Sequence, residues 1–202
     1  MPAVASPDVL VALFLFAFAA SVTPGPNNVM LASSGATFGL RRTVPHILGI
    51  IVGFPLMVFS ITLGLGEVFR TQPALQKAIA WIGFVVMMWL AWRIARQHAT
   101  ASKGASEPLG FLGAALFQWV NPKAWVACIA VAATYATGAA PLAEAIIIAL
   151  VFVVAGSLSC TTWAGFGAAL GRFLGDGWRL SAFNGTMGAL LALSALWLVI
   201  GG

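Results

Sequence analysis

Charge is what this chain has least of. Ten Lys and Arg and five Asp and Glu among 202 residues make charged side chains 7% of the sequence, against about 25% in a soluble domain. A water-soluble globule could not cover its surface with so few charges and would expose apolar patches large enough to aggregate. Soluble enzymes, disordered chains and disulfide scaffolds are excluded together. The two cysteines, Cys128 and Cys160, lie in apolar runs outside any CxxC or Cys/His cluster and read as small packing residues. With so few acids and only two histidines, no paired Asp, Ser/His set or HExxH can be assembled. An intramembrane enzyme is disfavoured, and neither a metal nor a cofactor is expected. The net charge of +5 comes from bases scattered singly or in pairs, which argues against nucleic-acid binding.

What is present is apolar: 61% of the residues, with 14 Phe and 8 Trp, which leaves an integral membrane protein whose partner is the lipid bilayer. Apolar runs cover about Val9–Gly39 (interrupted at Thr23–Asn28), Pro45–Gly66, Ala78–Trp92, Gly110–Tyr135 (interrupted at Asn121–Lys123), Leu142–Leu170 and Ser181–Ile200. All but Ala78–Trp92, which has 15 residues, reach the ~20 residues of a spanning helix, and every one exceeds a barrel strand of ~9–11. Ala17-Phe18-Ala19 resembles a signal-peptide cleavage box, but Asp8 stands where a basic n-region belongs, so the first run is read as a retained span. The expected fold is all-α with six transmembrane helices, the first and fourth broken by proline-containing motifs.

Placing the bases one by one gives an orientation. Arg41, Arg42, Arg93, Arg96, Lys103, Arg172 and Arg179 fall in the loops after spans one, three and five, whereas only Arg70 and Lys77 fall on the other side. The base-rich side is cytoplasmic by the positive-inside rule, which puts both termini on the periplasmic or extracellular side. Lys123 is the only base inside a span.

The spans form two sets of three, offset from each other by about 100 residues. An odd number of spans per set forces the halves, about 1–100 and 101–202, to insert with opposite orientation. One transmembrane domain over 1–202 built from an inverted repeat is the expected organisation, and in secondary transporters the site lies at the interface of the halves. The first member of each half carries the interruption. Proline removes an amide donor and crowds the carbonyl four residues earlier, and Gly25 between Pro24 and Pro26 can take angles closed to other residues. Irregular backbone at membrane depth survives only against protein or a water-filled cavity. At the second break Asn121 suits an N-cap, Pro122 the first helical position and Lys123 the first turn. A half-helix N-terminus beside a cation suits a carboxylate. Thr23, Pro24, Gly25, Pro26, Asn27, Asn28, Gln118, Asn121, Pro122 and Lys123 are therefore the candidate substrate-binding residues.

Thr23-Pro24-Gly25-Pro26-Asn27-Asn28 followed by Gly39-Leu40-Arg41-Arg42, together with Phe117-Gln118-Trp119-Val120-Asn121-Pro122-Lys123-Ala124-Trp125 and Phe183-Asn184-Gly185 with Met187-Gly188, resembles the signatures of the lysine exporter (LysE/RhtB) family. The resemblance implies an inner-membrane exporter of amino acids or related small metabolites, driven by the proton motive force and working as a homodimer. Many members carry an acidic residue in the first motif, where this chain has Asn27 and Asn28. The proton-coupling group is therefore open between His46, at the mouth of span two, and Glu144, with uniport as a further alternative. A zwitterion matches one cation among amide and backbone dipoles better than a basic substrate would, so neutral amino acids are favoured. A passive channel for small polar solutes is the competing reading. The GxxxG pairs Gly49/Gly53 and Gly167/Gly171 read as helix-packing positions, and Trp81, Trp89, Trp92, Trp163 and Trp178 as interface anchors.

Overall fold

The computed structural model describes residues 3–97, 107–175 and 177–200; His98, Lys103 and Asp176 lie outside them. Every regular element among the described residues is helical. A short 3-10 turn at Ala3–Ala5 leads into α1 (Pro7–Val22), followed by α2 (Pro26–Ser60), α3 (Gly66–Thr71), α4 (Pro73–Ala95), α5 (Phe111–Phe117), α6 (Pro122–Tyr135), α7 (Pro141–Leu174) and α8 (Trp178–Ile200). A π-type turn, Ile61–Leu65, joins α2 to α3, and a 3-10 turn, Gln118–Val120, closes α5. Proline opens α1, α2, α4, α6 and α7, where its missing N–H costs nothing and its fixed φ is already helical.

Four helical segments are long and apolar enough to cross a membrane, namely Pro26–Thr71, Pro73–Ala95, Pro141–Leu174 and Trp178–Trp197. Pro7–Val22 and Phe111–Val120 are shorter apolar helices, and both run into the interruptions read from the sequence. One boundary differs from the sequence reading. A loop was expected between Gly39 and Pro45, but α2 runs through it with a single kink at Gly39, where φ is +77° and ψ 165°. Glycine tolerates that angle, so the chain turns in one residue instead of a loop. Ser34 Oγ donates to Thr43 Oγ1 at 3.0 Å, and Thr43 Oγ1 donates to the Gly39 carbonyl at 2.9 Å, which ties the kink from both sides.

The outer surface is apolar, and polar side chains are buried alongside an apolar core. Val11, Leu15, Leu56, Val85, Leu150 and Leu193 are exposed, whereas Asn28, Ser33, Thr43, Gln118, Asn121, Glu144, Ser159 and Asn184 are buried. This is the distribution expected when lipid surrounds the bundle and polar side chains find partners only inside it. The proximal part of α2 crosses α7 with almost no side chain between the backbones. A Cβ on Gly35 would lie 2.2 Å from the Ala164 carbonyl oxygen, and one on Gly167 2.1 Å from that of Ala32. Gly49 and Gly53 of the distal part approach α5 in the same manner. Further contacts join α4 to α8 and α1 to α7. Asn184 fastens α8 to this frame, accepting from Ser33 Oγ at 2.9 Å and donating to Thr37 Oγ1 at 2.9 Å and the Gln97 carbonyl at 3.1 Å.

At the base-rich end, Arg42, Arg93, Arg96 and Arg179 lie over the rings of Phe38, Trp89, Trp92 and Trp178, 4.6–5.9 Å from the centroids. Cation–π pairing lets an arginine sit at a membrane interface with its stem against apolar surface. Trp163 departs from the anchor role expected of it, because its indole nitrogen donates inward to the Val22 carbonyl at 3.1 Å.

Candidate functional site

The two interruptions meet. Pro24 cannot donate to α1 and biases Thr23 to extended geometry, and Thr23 has φ −58° and ψ 133°. The last carbonyls of α1 therefore lack helical partners, a condition that membrane depth does not tolerate unless other groups supply donors. Three other helices supply them. Asn28 Nδ2 of α2 donates to the Ser21 and Thr23 carbonyls at 2.9 and 2.8 Å. Ser159 Oγ of α7 donates to the Ser21 carbonyl at 2.7 Å, beside the Trp163 bond to Val22. Lys123 Nζ of α6 donates to the Thr23 carbonyl. A cation at the negative end of a helix dipole is favourably placed.

The second break is capped as its sequence suggests. Asn121 is the N-cap, with its side-chain oxygen accepting from the Lys123 N–H at 3.1 Å, and Pro122 takes the first helical position. Across the halves, Asn27 Nδ2 donates to Gln118 Oε1 at 2.8 Å and Gln118 Nε2 returns a longer bond of 3.3 Å to Asn27 Oδ1. Four helix ends, those of α1, α2, α5 and α6, are thus joined by two cross-links, Lys123 to Thr23 and Asn27 to Gln118.

Between them lies a cavity lined by Gly25, Asn27, Asn28, Asn121 and Lys123, with Ser21, Phe54, Pro55, Phe152, Ser159 and Cys160 completing its wall. Its empty volume, open mouth included, is about 580 Å³. Of the other expected site residues, Thr23, Pro24, Pro26, Gln118 and Pro122 do not line it; Thr23 and Gln118 act through the cross-links. Gly25 corrects one expectation. Its backbone is extended, with φ 179° and ψ −178°, an angle open to any residue. What glycine leaves there is room for the Lys123 stem, since a Cβ would stand 2.7 Å from Lys123 Cδ.

Sequence reading missed the far wall. Phe54 and Phe152 meet edge-on at 5.2 Å, and Ser159 and Cys160 belong to a polar stretch of α7, Ser157 to Thr162, inside an apolar run. That stretch and Pro55 in mid-helix were the available signals. The two coupling candidates lie elsewhere. Glu144 is fully buried, but its oxygens close the α6–α7 turn, accepting from the Thr137 N–H at 2.9 Å, Thr137 Oγ1 at 2.5 Å and the Gly138 N–H at 3.0 Å. His46 is 1% exposed, in the second turn of the distal part of α2 beyond the Gly39 kink.

The amides of the first motif have a chemical reason. Asn28 acts there only as a donor to carbonyls, which a carboxylate cannot do. Asn28→Asp is expected to destabilise the protein by about 1–3 kcal/mol, because two hydrogen bonds are lost and a buried carboxylate would face the Ser21 and Thr23 carbonyl oxygens. Thermal unfolding in detergent measures this, and a melting temperature equal to wild type would remove Asn28 from the capping role.

A family model described as LysE type translocator matches residues 18–202. A cysteine/O-acetylserine efflux protein of Klebsiella pneumoniae subsp. pneumoniae is 30% identical over 203 residues, covering 96% of this chain and 99% of that protein. Proteins of the same description from Salmonella paratyphi A and Escherichia coli O1:K1 / APEC are 31% and 29% identical over 119 residues, 58% of this chain and 60% of theirs. No solved structure matches significantly. A translocator, not an enzyme, is what such a match describes. The chain belongs to the LysE type translocator family.

Proposed function

We propose that this protein is a secondary exporter that carries small neutral amino acids, of the cysteine and O-acetylserine kind, outward across the inner membrane. The observation that carries this reading is the convergence of both broken helices on one cavity with a single cation. Lys123 and the N-terminal ends of α2 and α6 present positive charge to a carboxylate. The carbonyl end of α1 presents negative charge to an ammonium group. A zwitterion matches both, and a second positive charge on the substrate would find no carboxylate among the lining residues.

The packing supports an inverted repeat of six spans, with the breaks at Thr23–Gly25 and Asn121 as equivalents. Exchanging the halves maps α1 against α7 onto α5 against the distal part of α2, and leaves the α4–α8 pair unchanged. With the arginine-rich end cytoplasmic, α1 and α6 occupy the outer half of the membrane, and α5 and the proximal part of α2 the inner half. The Lys123–Thr23 link then closes the outward path and the Asn27–Gln118 link the inward one. Breaking one while the other holds gives alternating access driven by the proton motive force, by rocking of one repeat against the other.

The test is counterflow in proteoliposomes. Labelled O-acetylserine outside should exchange with unlabelled O-acetylserine inside, with saturation, and labelled lysine should exchange poorly. A linear, non-saturating flux would favour a passive channel instead. The native thiols provide a second check, because Cys160 lines the cavity whereas Cys128 does not. In a Cys128→Ser background, a small methanethiosulfonate reagent should inhibit transport, and O-acetylserine should slow the inhibition. Equal inhibition with and without O-acetylserine would place the substrate elsewhere.

A further inference from the structure

A second cavity opens toward the arginine-rich end, bounded by the proximal part of α2, the end of α4 and the segment before α5. Its wall includes Ser33, Ser34, His46, Arg93, Gln97 and Glu107, and its empty volume is about 310 Å³. His46 forms part of this wall, and neither of its ring nitrogens has a hydrogen-bond partner among the described residues. Its neighbours do not share that condition. Ser33 and Gln97 are bound to Asn184, and Ser34 is bound to Thr43. A buried polar group without a partner calls for a functional explanation, and here it stands beside open space.

The position relative to the first cavity gives the space a use. Asn28 lines the first cavity and Met30 the second on the same helix; Ile50 lines the first and His46 the second. At about 1.5 Å per residue, these pairs are about 3 Å apart along the proximal part of α2 and about 6 Å along the distal part. Two further ionisable groups share the wall with His46, Arg93 from α4 and Glu107 from the segment before α5. The half-buried Arg93 guanidinium donates to the Glu107 carbonyl and lies 5.5 Å from the Trp89 ring centroid. A wall with one cation, one carboxylate and a deeper imidazole matches the two ends of an amino acid.

We propose that this second cavity is the cytoplasmic loading site for the exported zwitterion, where the substrate's ammonium group and a proton compete for the His46 imidazole. The inference rests on the exporter reading and deepens it. A neutral imidazole offers one acceptor nitrogen, to which an ammonium group can donate; an imidazolium offers none and repels the ammonium. Arg93 takes the carboxylate as a charge-assisted pair. Loading therefore releases one proton from the His46 ring to the cytoplasmic side, and protonation of the ring expels the amino acid. This is the exclusive occupancy an antiporter requires.

Three measurements on the full chain decide it. First, O-acetylserine added to purified wild-type protein in weakly buffered detergent should release protons, read by a pH dye. Second, a proteoliposome lumen one pH unit more acidic than the bath should drive about tenfold accumulation of labelled O-acetylserine at one proton per substrate. Third, wild-type apparent affinity should weaken by about tenfold per unit of acidification once the ring is protonated. In His46→Gln the proton release should vanish, accumulation should fall to unity and the affinity should lose its pH dependence, whatever its absolute value. Wild-type exchange without proton release, or a wild-type pH profile in His46→Gln, overturns the proposal. Should the variant fail to insert, proton release by the wild type still decides. Absence of saturable wild-type exchange instead overturns the exporter reading itself.

Discussion

Lys123→Ala is expected to reduce saturable amino-acid exchange by about 10- to 100-fold while leaving the protein inserted and folded. The magnitude follows from losing a charge-assisted hydrogen bond to the substrate carboxylate, worth about 1.5–3 kcal/mol. The fold should survive because Asn28 also donates to the Thr23 carbonyl, at 2.8 Å, so removing the ammonium leaves no orphaned acceptor. Gly25→Ala is the companion variant. Its methyl group would meet the flexible stem of Lys123 and not the backbone, so it should displace the ammonium at little cost in stability. Exchange assays and size-exclusion profiles of both variants separate the outcomes. Wild-type exchange in both would sink the proposed site, whereas loss of the monodisperse peak would show Lys123 to be structural.

The largest effect on stability is expected at the crossing of α2 and α7. Gly167→Ala should lower the melting temperature in detergent by about 5–10 °C, whereas Gly165→Ala, two residues away, should leave it unchanged or raise it. The added Cβ at Gly167 would lie 2.1 Å from the Ala32 carbonyl oxygen, and the one at Gly165 has nothing within 4 Å. A backbone oxygen cannot move aside as a side chain can, so the helices must separate, at about 1–3 kcal/mol or more. In a protein of this size each kcal/mol is worth about 2–4 °C. At Gly165 only the intrinsic preference of helices for alanine over glycine remains. Equal melting temperatures for the two variants would mean that the close crossing does not govern stability.

The contrast between these glycines shows where sequence reading stops. The Gly167/Gly171 spacing marks a packing position, but the same residue type at Gly165 and Gly185 faces open space. Spacing specifies a face of a helix, and only the partner helix decides whether that face is crowded. The histidine teaches the same lesson. The sequence puts His46 near the start of a span, and only the packing around α2 shows that its imidazole is buried there without a hydrogen-bond partner among the described residues.

By itself the sequence determined a helical membrane chain, because charges are too few for water and apolar runs too long for strands. It determined both breaks, because proline lacks a donor at any depth, and it marked the Asn121 cap, which depends only on neighbouring residues. Tertiary structure decided what the breaks do. It joined them through Lys123 and Asn27, brought Ser159 and Trp163 from α7 to the carbonyls that Pro24 strands, and left His46 unpartnered beside a second space. The bonds among them join residues about 90 to 140 apart in the chain. No local pattern encodes them, because each exists only where the close crossing of α2 and α7 brings the broken ends within hydrogen-bond reach.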